Sequence, residues 1–242
     1  MSKERRTLAK AFGRQLVELL AELAMDQTRF EVRFGDAPLP ETSWSARGID
    51  AAEFFVSPNP GEDLRPLARI VSGGELSRIM LALKTLTATS RHGFSDADDR
   101  PPSASAPGLI FDEVDAGIGG RVADVVGRKL RTLGSVFQVL CITHLPQIAA
   151  YADTHFEIEK RVEGGRTRTT VRRLTSDGRV DELARMLGGE AVTDGLRRSA
   201  EEMLTQRAKA KGESESRKGH EGFKGHKGPK VTKDAKARPR GA

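Results

Sequence analysis

Two short apolar runs with a helix-like segment between them constrain this chain more than any other feature. Gly108-Leu109-Ile110-Phe111 is followed by GRVADVVGRKLRTL, residues 120–133, and then by VFQVLCITH, residues 136–144. Apolar runs of this length between turn residues are strand candidates, and the intervening segment repeats its apolar residues at helical spacing. Continuous apolar strands separated by a helix imply a parallel sheet buried on both faces. The expected class is therefore α/β, a mainly parallel sheet with flanking helices, and LPQIAAYA, residues 145–152, should add a short helix.

Upstream, Leu8, Phe12, Leu16, Leu19, Leu20 and Leu23 fall three and four apart among charged residues, so 3–25 reads as an amphipathic helix that would also suit the last turns of a coiled coil. RFEVRF (29–34) alternates apolar and charged residues and predicts a strand, as does AEFFVS (52–57). The three prolines and glycine of PNPGEDLRP (58–66) predict a rigid loop without regular structure. A helix should run from Ser72 to about Thr89, with Leu76, Ile79, Met80, Leu83 and Leu86 as its buried face, before a flexible loop over 90–107. Past the parallel unit, HFEIEKR and RTRTTVRRL flank Glu163-Gly164-Gly165 as a hairpin, and helices over about 179–187 and 193–206 close the fold.

Charge is unevenly placed. Residues 207–242 hold 12 Lys/Arg against 4 Asp/Glu, a balance of +8, so the whole-chain value of +6 leaves the remainder at −2. This Lys, Gly and Ser rich tail, with little apolar content, is expected to stay disordered. Any argument from charge about nucleic acid belongs to it. No apolar run approaches the roughly 20 residues that cross a bilayer. MSKERRTLAK lacks the apolar core of a secretory signal, and Cys141 is the single cysteine, so a cytoplasmic location is expected.

Three local patterns carry chemistry. In GLIFDEVD the apolar run ends on Asp112 and Glu113, adjacent carboxylates that repel unless a cation is near. Mg²⁺ carrying phosphates would resolve that repulsion, with Asp112 as the metal ligand and Glu113 free to take a proton from an attacking water. Two acids that merely end a strand explain the pattern equally well. In SGGELSRIMLALK, Ser72 and Glu75 form a capping box, yet Gly73 and Gly74 in a first turn are costly unless something approaches the backbone closely. A phosphate suits that place, where free N–H groups and the positive end of the helix dipole converge. Third, His144 follows a strand and would lie on the same sheet edge as Asp112 and Glu113, where it could bond a γ-phosphate or the attacking water; a structural histidine is the plainer reading.

Taken in order, SGGE, an apolar run ending in DE, and an apolar strand followed by His resemble the signature motif, Walker B and switch histidine of the ATP-binding cassette superfamily. Val114-Asp115-Ala116-Gly117 resembles its D-loop. The runs SPNPGEDLRPLARIVSGGELSRIMLALKTL, LIFDEVDAGIGGRVADVVGRKL, QVLCITHLPQIAAYADTHF and RVDELARMLGG narrow the likeness, over roughly residues 5–206, to the carboxyl-terminal half of bacterial SMC-like ATPases of DNA repair.

That resemblance implies the end of a coiled-coil helix over 1–27, a carboxyl-terminal ATPase half-head over 28–206 and the basic tail over 207–242. Its cofactors would be ATP and Mg²⁺. Asp112 would hold the metal, Glu113 and His144 would be catalytic, and Asp115 would serve in the D-loop. Ser72, Gly73, Gly74 and Glu75 would meet the ATP of a second head, in a homodimer closed around nucleotide. The sequence contains no GxxxxGK[ST], so ATP hydrolysis would require an amino-terminal half that carries the P-loop, and this chain alone would be inactive. The implied role is repair of double-strand breaks and recombination at double-stranded DNA ends, without sequence reading or a membrane, in a cytoplasmic, nucleoid-associated protein. A different class of function is a catalytically silent DNA-binding scaffold acting through the basic tail. A third, the nucleotide-binding subunit of a membrane transporter, shares the three motifs but not their flanks.

Overall fold

A computed structural model of the 242-residue chain describes residues 2–45, 48–70, 72–91, 108–189 and 191–221. It divides into two units at Thr205, and the first holds every element discussed below apart from the end of the last helix.

The first helix, α1 (Ser2–Glu22), turns Gly13, Leu16 and Leu20 inward, and Leu23 follows them, fully buried. It closes with the Met25 amide donating to the Leu20 carbonyl at 3.0 Å while Ala24 takes the left-handed φ of 58°. Against α1 lies an antiparallel sheet of β1 (Arg29–Phe34), β2 (Ala52–Ser57) and β3 (Arg65–Pro66). Phe12 and Phe54 stack at 5.9 Å and Phe30 sits tilted on Phe54 at 5.3 Å, joining the helix to the sheet.

Here the sequence reading of 58–66 needs correction. Its last two residues pair with β2, Phe55 opposite Pro66, because at a sheet edge a proline withholds no hydrogen bond that a neighbour requires.

Helix α2 (Gly73–Arg91) packs between α1 and α3 (Gly120–Leu133). Contact on two sides widens its buried arc, so Ile79, Leu81, Ala82 and Leu83 are buried while Met80, expected inside, is exposed. The loop expected at 90–107 lies, from 92 on, outside the described residues.

The parallel unit is present as β4 (Gly108–Phe111) and β5 (Gln138–Cys141), with Phe111 opposite Cys141 and α3 crossing between them. The α/β class holds, with parallel and antiparallel ladders both represented. Burial on both faces does not: Ile110, its partner Leu140, and Ile142 are 71%, 51% and 48% exposed. They share one face of the pair, and none of the described residues covers it.

The short helix α4 (Pro146–Ala149) follows, and then the expected hairpin, β6 (Phe156–Glu163) and β7 (Arg166–Arg173). Gly164 and Gly165, at φ 58° and 75°, make its two-residue turn. Helix α5 (Ser176–Gly188) is capped by the Thr175 hydroxyl, which accepts the Gly178 amide at 3.2 Å. A second small core joins Ala149 and Ala150 to Leu183, Ala184 and Ala200.

The last helix, α6 (Asp194–Glu221), runs past 206 into the segment expected to be disordered. AKAKGESESRK holds eight good helix formers, Ala, Lys, Glu and Arg, beside one Gly and two Ser, a composition compatible with helix without an apolar pattern. The expectation for 222–242 lies outside the described residues.

Candidate functional site

The loops that leave the carboxyl ends of β4 and β5, together with the first turn of α2, bring the predicted site residues into one neighbourhood. Parallel pairing places the two strand ends side by side, and the Ile142 amide donating to the Phe111 carbonyl at 2.9 Å carries the register one step beyond the strands. Asp112 and Glu113 therefore leave β4 beside Thr143 and His144, which leave β5. His144 lies three residues beyond the strand it was expected to end, since the ladder closes at Cys141.

Asp112 and Glu113 are both exposed. Asp112 folds its Oδ1 back to accept the Glu113 amide at 2.9 Å. Its carbonyl takes a hydrogen bond from the Ser77 hydroxyl at 2.6 Å. Glu113 sits in the left-handed region at φ 56°, uncommon for a residue with a side chain, and this sharp turn redirects the backbone after β4. The Ala116 amide then returns to the Glu113 carbonyl at 3.0 Å, and Gly117, at φ 72°, continues the turn.

Against this turn rests the mouth of α2. Ser72 is its N-cap: the Glu75 amide reaches the Ser72 hydroxyl at 3.4 Å and the Leu76 amide reaches the Ser72 carbonyl at 3.0 Å. The two glycines have a local reason. A side-chain carbon at Gly73 would collide with Glu113 Oε2, and one at Gly74 would stand 2.7 Å from the Ala116 methyl and 3.1 Å from the Glu113 carbonyl. The close approach that the glycine pair demanded is made, within this chain, by the Asp112–Gly117 turn itself.

Two further residues clamp that turn, and sequence reasoning passed over both. Ser77 holds Asp112 as described, and Arg78 Nη1 donates to the Ala116 carbonyl at 2.7 Å. Arg78 is only 8% exposed, and burial holds its guanidinium below the usual arginine range, with Glu75 pulling the other way. An arginine one position before Ile79, on the buried side of α2, was the available signal.

Asp115 is the buried centre of the site at 4% exposure. Its Oδ2 accepts the Thr143 hydroxyl at 2.5 Å and the His144 amide at 3.0 Å, and His144 Nδ1 lies 3.0 Å away. The Leu145 amide in turn donates to the Thr143 hydroxyl oxygen at 3.0 Å. Thr143 was also missed; a lone hydroxyl between the apolar Ile142 and His144 is the hint.

Whether these groups suit a metal is a question of donor chemistry. The Asp112 carboxylate is a hard oxygen donor on an exposed turn, as Mg²⁺ requires. Among the described residues no group of three or more His, Cys, Asp or Glu could hold a metal by itself. An ion here would take its other ligands from phosphate oxygens and water.

Comparison with known proteins gives the lineage. The chain is 42% identical over 200 residues to the DNA repair protein RecN of Halalkalibacterium halodurans, covering 83% of this chain and 33% of that protein. It is 40% identical over 217 residues to RecN of Bacillus subtilis, covering 85% and 35%. Over this span the chain belongs to the RecN family. It spans about a third of the length of these RecN relatives. No family profile matches the chain. A solved structure described as concerning ATP-driven dimerization and DNA-stimulated activation of SMC ATPases overlays 78% of this chain with 99% of its own, at 20% identity and a TM-score of 0.38. No helix among the described residues is long and apolar enough to cross a membrane.

Proposed function

We propose that this chain is the carboxyl-terminal part of a RecN-type ATPase acting in DNA double-strand break repair and recombination. Residues 1–27 would end its coiled-coil helix, 28–206 would form the second half of its head, and 207–242 would be a basic appendage. One observation carries the reading: a DE pair at the end of β4 stands beside the His144 loop at the end of β5, in a sequence 42% identical to RecN over 83% of its length.

On this reading ATP with Mg²⁺, held on the P-loop of an amino-terminal half, supplies the phosphoryl group to be transferred to water. Asp112 would hold the ion through its carboxylate. Glu113 accepts the proton of the attacking water, a contribution worth about 10² to 10⁴ in rate. His144 offers a ring nitrogen to the terminal phosphate or to the water. Ser72, Gly73, Gly74 and Glu75 present the positive end of α2 to the nucleotide of a second head, so two copies would close around ATP. DNA ends would be held by engaged heads without base readout, in the cytoplasm at the nucleoid.

The test is reconstitution. The 242-residue chain alone should show no ATP turnover, and adding an amino-terminal RecN half that carries a P-loop should produce it. Glu113→Gln in the reconstituted protein should preserve nucleotide binding and stop turnover. Robust hydrolysis by the chain alone, or undiminished hydrolysis by Glu113→Gln, would overturn the proposal.

A further inference from the structure

His144 projects its side chain outward, 74% exposed, while the group that holds it is buried. An exposed imidazole on a loop ordinarily samples two neutral tautomers and several rotamers. Here both freedoms are restricted from one side. The Asp115 carboxylate, 5% exposed, accepts the Thr143 hydroxyl and the His144 amide through a single oxygen, Oδ2, and the His144 Nδ1 stands 3.0 Å from that same oxygen. A carboxylate oxygen in its ionised form can only accept, so a bare Nδ1 lone pair at 3.0 Å would be repelled and the tautomer with the proton on Nδ1 is favoured. The other nitrogen, Nε2, is then left with its lone pair pointing away from Asp115.

Burial makes the arrangement costly to loosen. A buried carboxylate deprived of its donors carries an uncompensated desolvation penalty, so the Thr143 hydroxyl and the His144 amide are held in place. Thr143 is itself fixed, because its oxygen accepts the Leu145 amide while its hydrogen goes to Asp115. The chain entering α4 is thereby tied to the turn after β4.

We propose that Asp115, supported by Thr143, is a positioning residue that fixes His144 in the Nδ1-protonated tautomer and aims Nε2 outward as an acceptor. The inference rests on the reading of His144 as a residue that faces nucleotide or water, but its first test does not. A consequence is directional: with Nδ1 occupied by Asp115, the neutral ring can take a proton at Nε2 and cannot donate one from there. In the assembled enzyme, the neutral ring therefore serves as an acceptor for the water, and a bond to the terminal phosphate would require the ring to carry both protons.

The experiment is nitrogen-15 spectroscopy of the histidine rings in the full 242-residue chain at about pH 8, where an ordinary imidazole is neutral. The chain has only 5 histidines, and the signal lost in His144→Gln assigns the ring. Wild type should show His144 protonated at Nδ1 by roughly tenfold or more over the alternative, since the charged Asp115 oxygen beside Nδ1 outweighs the small intrinsic preference. Asp115→Ala should shift the ring toward the Nε2-protonated form. Thr143→Val should weaken the bias, and Thr143→Ser, which keeps the hydroxyl, should restore it. A wild-type ring that is predominantly Nε2-protonated overturns the proposal, even if Asp115→Ala fails to fold. So does a Thr143→Val spectrum matching wild type together with an unchanged Asp115→Ala spectrum. In the reconstituted ATPase, Thr143→Val should lower kcat several-fold with KM held within about twofold. Absence of turnover in every reconstituted variant would count against the proposed function while leaving the ring assignment standing.

Discussion

Glu113 turns its carboxylate against the backbone of Gly73, so that a methyl group at Gly73 would meet Oε2, while Gly74 faces the Ala116 methyl and the Glu113 carbonyl. The two glycines therefore differ in what a side chain would displace. At Gly73 the obstacle is the far end of an exposed, rotatable side chain, and Gly73→Ala should change stability by no more than about 0.5 kcal/mol. At Gly74 the obstacles are a packed methyl and a backbone carbonyl, and Gly74→Ala should cost about 1–3 kcal/mol. Urea unfolding of the two variants decides it; equal effects would mean that the turn yields as readily as the side chain.

Arg78 and Ser77 predict a graded loss. Removing the guanidinium by Arg78→Ala takes the donor from the Ala116 carbonyl inside a nearly water-free contact, and should cost about 1–3 kcal/mol. Ser77→Ala removes a hydrogen bond to the Asp112 carbonyl in a more exposed place, where water can substitute, and should cost about 0.5–1.5 kcal/mol. Thermal unfolding of both, compared with wild type, should return that order. The reverse order would place the stronger clamp at the Asp112 carbonyl.

Cys141 ends β5 beside the same carboxylates. Burial, followed by the charges of Asp115 and Asp112, pushes its thiol up to about 12. The native thiol should resist alkylation by iodoacetamide at about pH 8, where an ordinary cysteine is already partly thiolate, and should react at once in urea. Linkage gives the sign for stability. The folded state holds the thiol proton more tightly than the unfolded state, so the contribution is fully present below about 9 and is lost as pH rises toward 12. Cys141→Ala should flatten that part of the wild-type pH profile; identical profiles would exclude the effect.

The neighbourhood of the candidate residues was readable in the sequence because their order along the chain is local: strand, acids, helix, strand, histidine. The βαβ crossover then brings Asp112 and His144 to one edge with no further information. Less legible was everything that depends on which element lies behind which. That Arg78 grips Ala116 and that Met80 is exposed while Leu81 is not follow from where α2 is packed, and that Asp115 is buried against Thr143 and the His144 amide follows from how the loops after β4 and β5 meet. Pro66 in an edge strand shows a propensity rule giving way to context, a free edge, whereas the continuation of α6 past 206 shows helix propensity outweighing the low apolar content that predicted disorder. The expectation of a sheet buried on both faces failed for a different reason: the apolar residues are there, and the described part of the chain supplies nothing to cover them.

That uncovered face yields the last prediction. Ile110, Leu140 and Ile142 lie together on β4 and β5, and large exposed aliphatic residues gathered on one sheet face mark a surface made for contact. On the proposed reading their cover is the amino-terminal half of the head. A substitution there removes little packing among the described residues, so Ile110→Thr with Leu140→Thr should leave the unfolding free energy within about 1 kcal/mol of wild type. The same pair of changes should weaken association with the amino-terminal half by at least tenfold, since each buried aliphatic side chain is worth about 1.5–3 kcal/mol. Calorimetric titration of one half into the other measures it directly. Unchanged affinity would assign the face to some other partner, and loss of stability in the isolated chain would mean that the face is already covered.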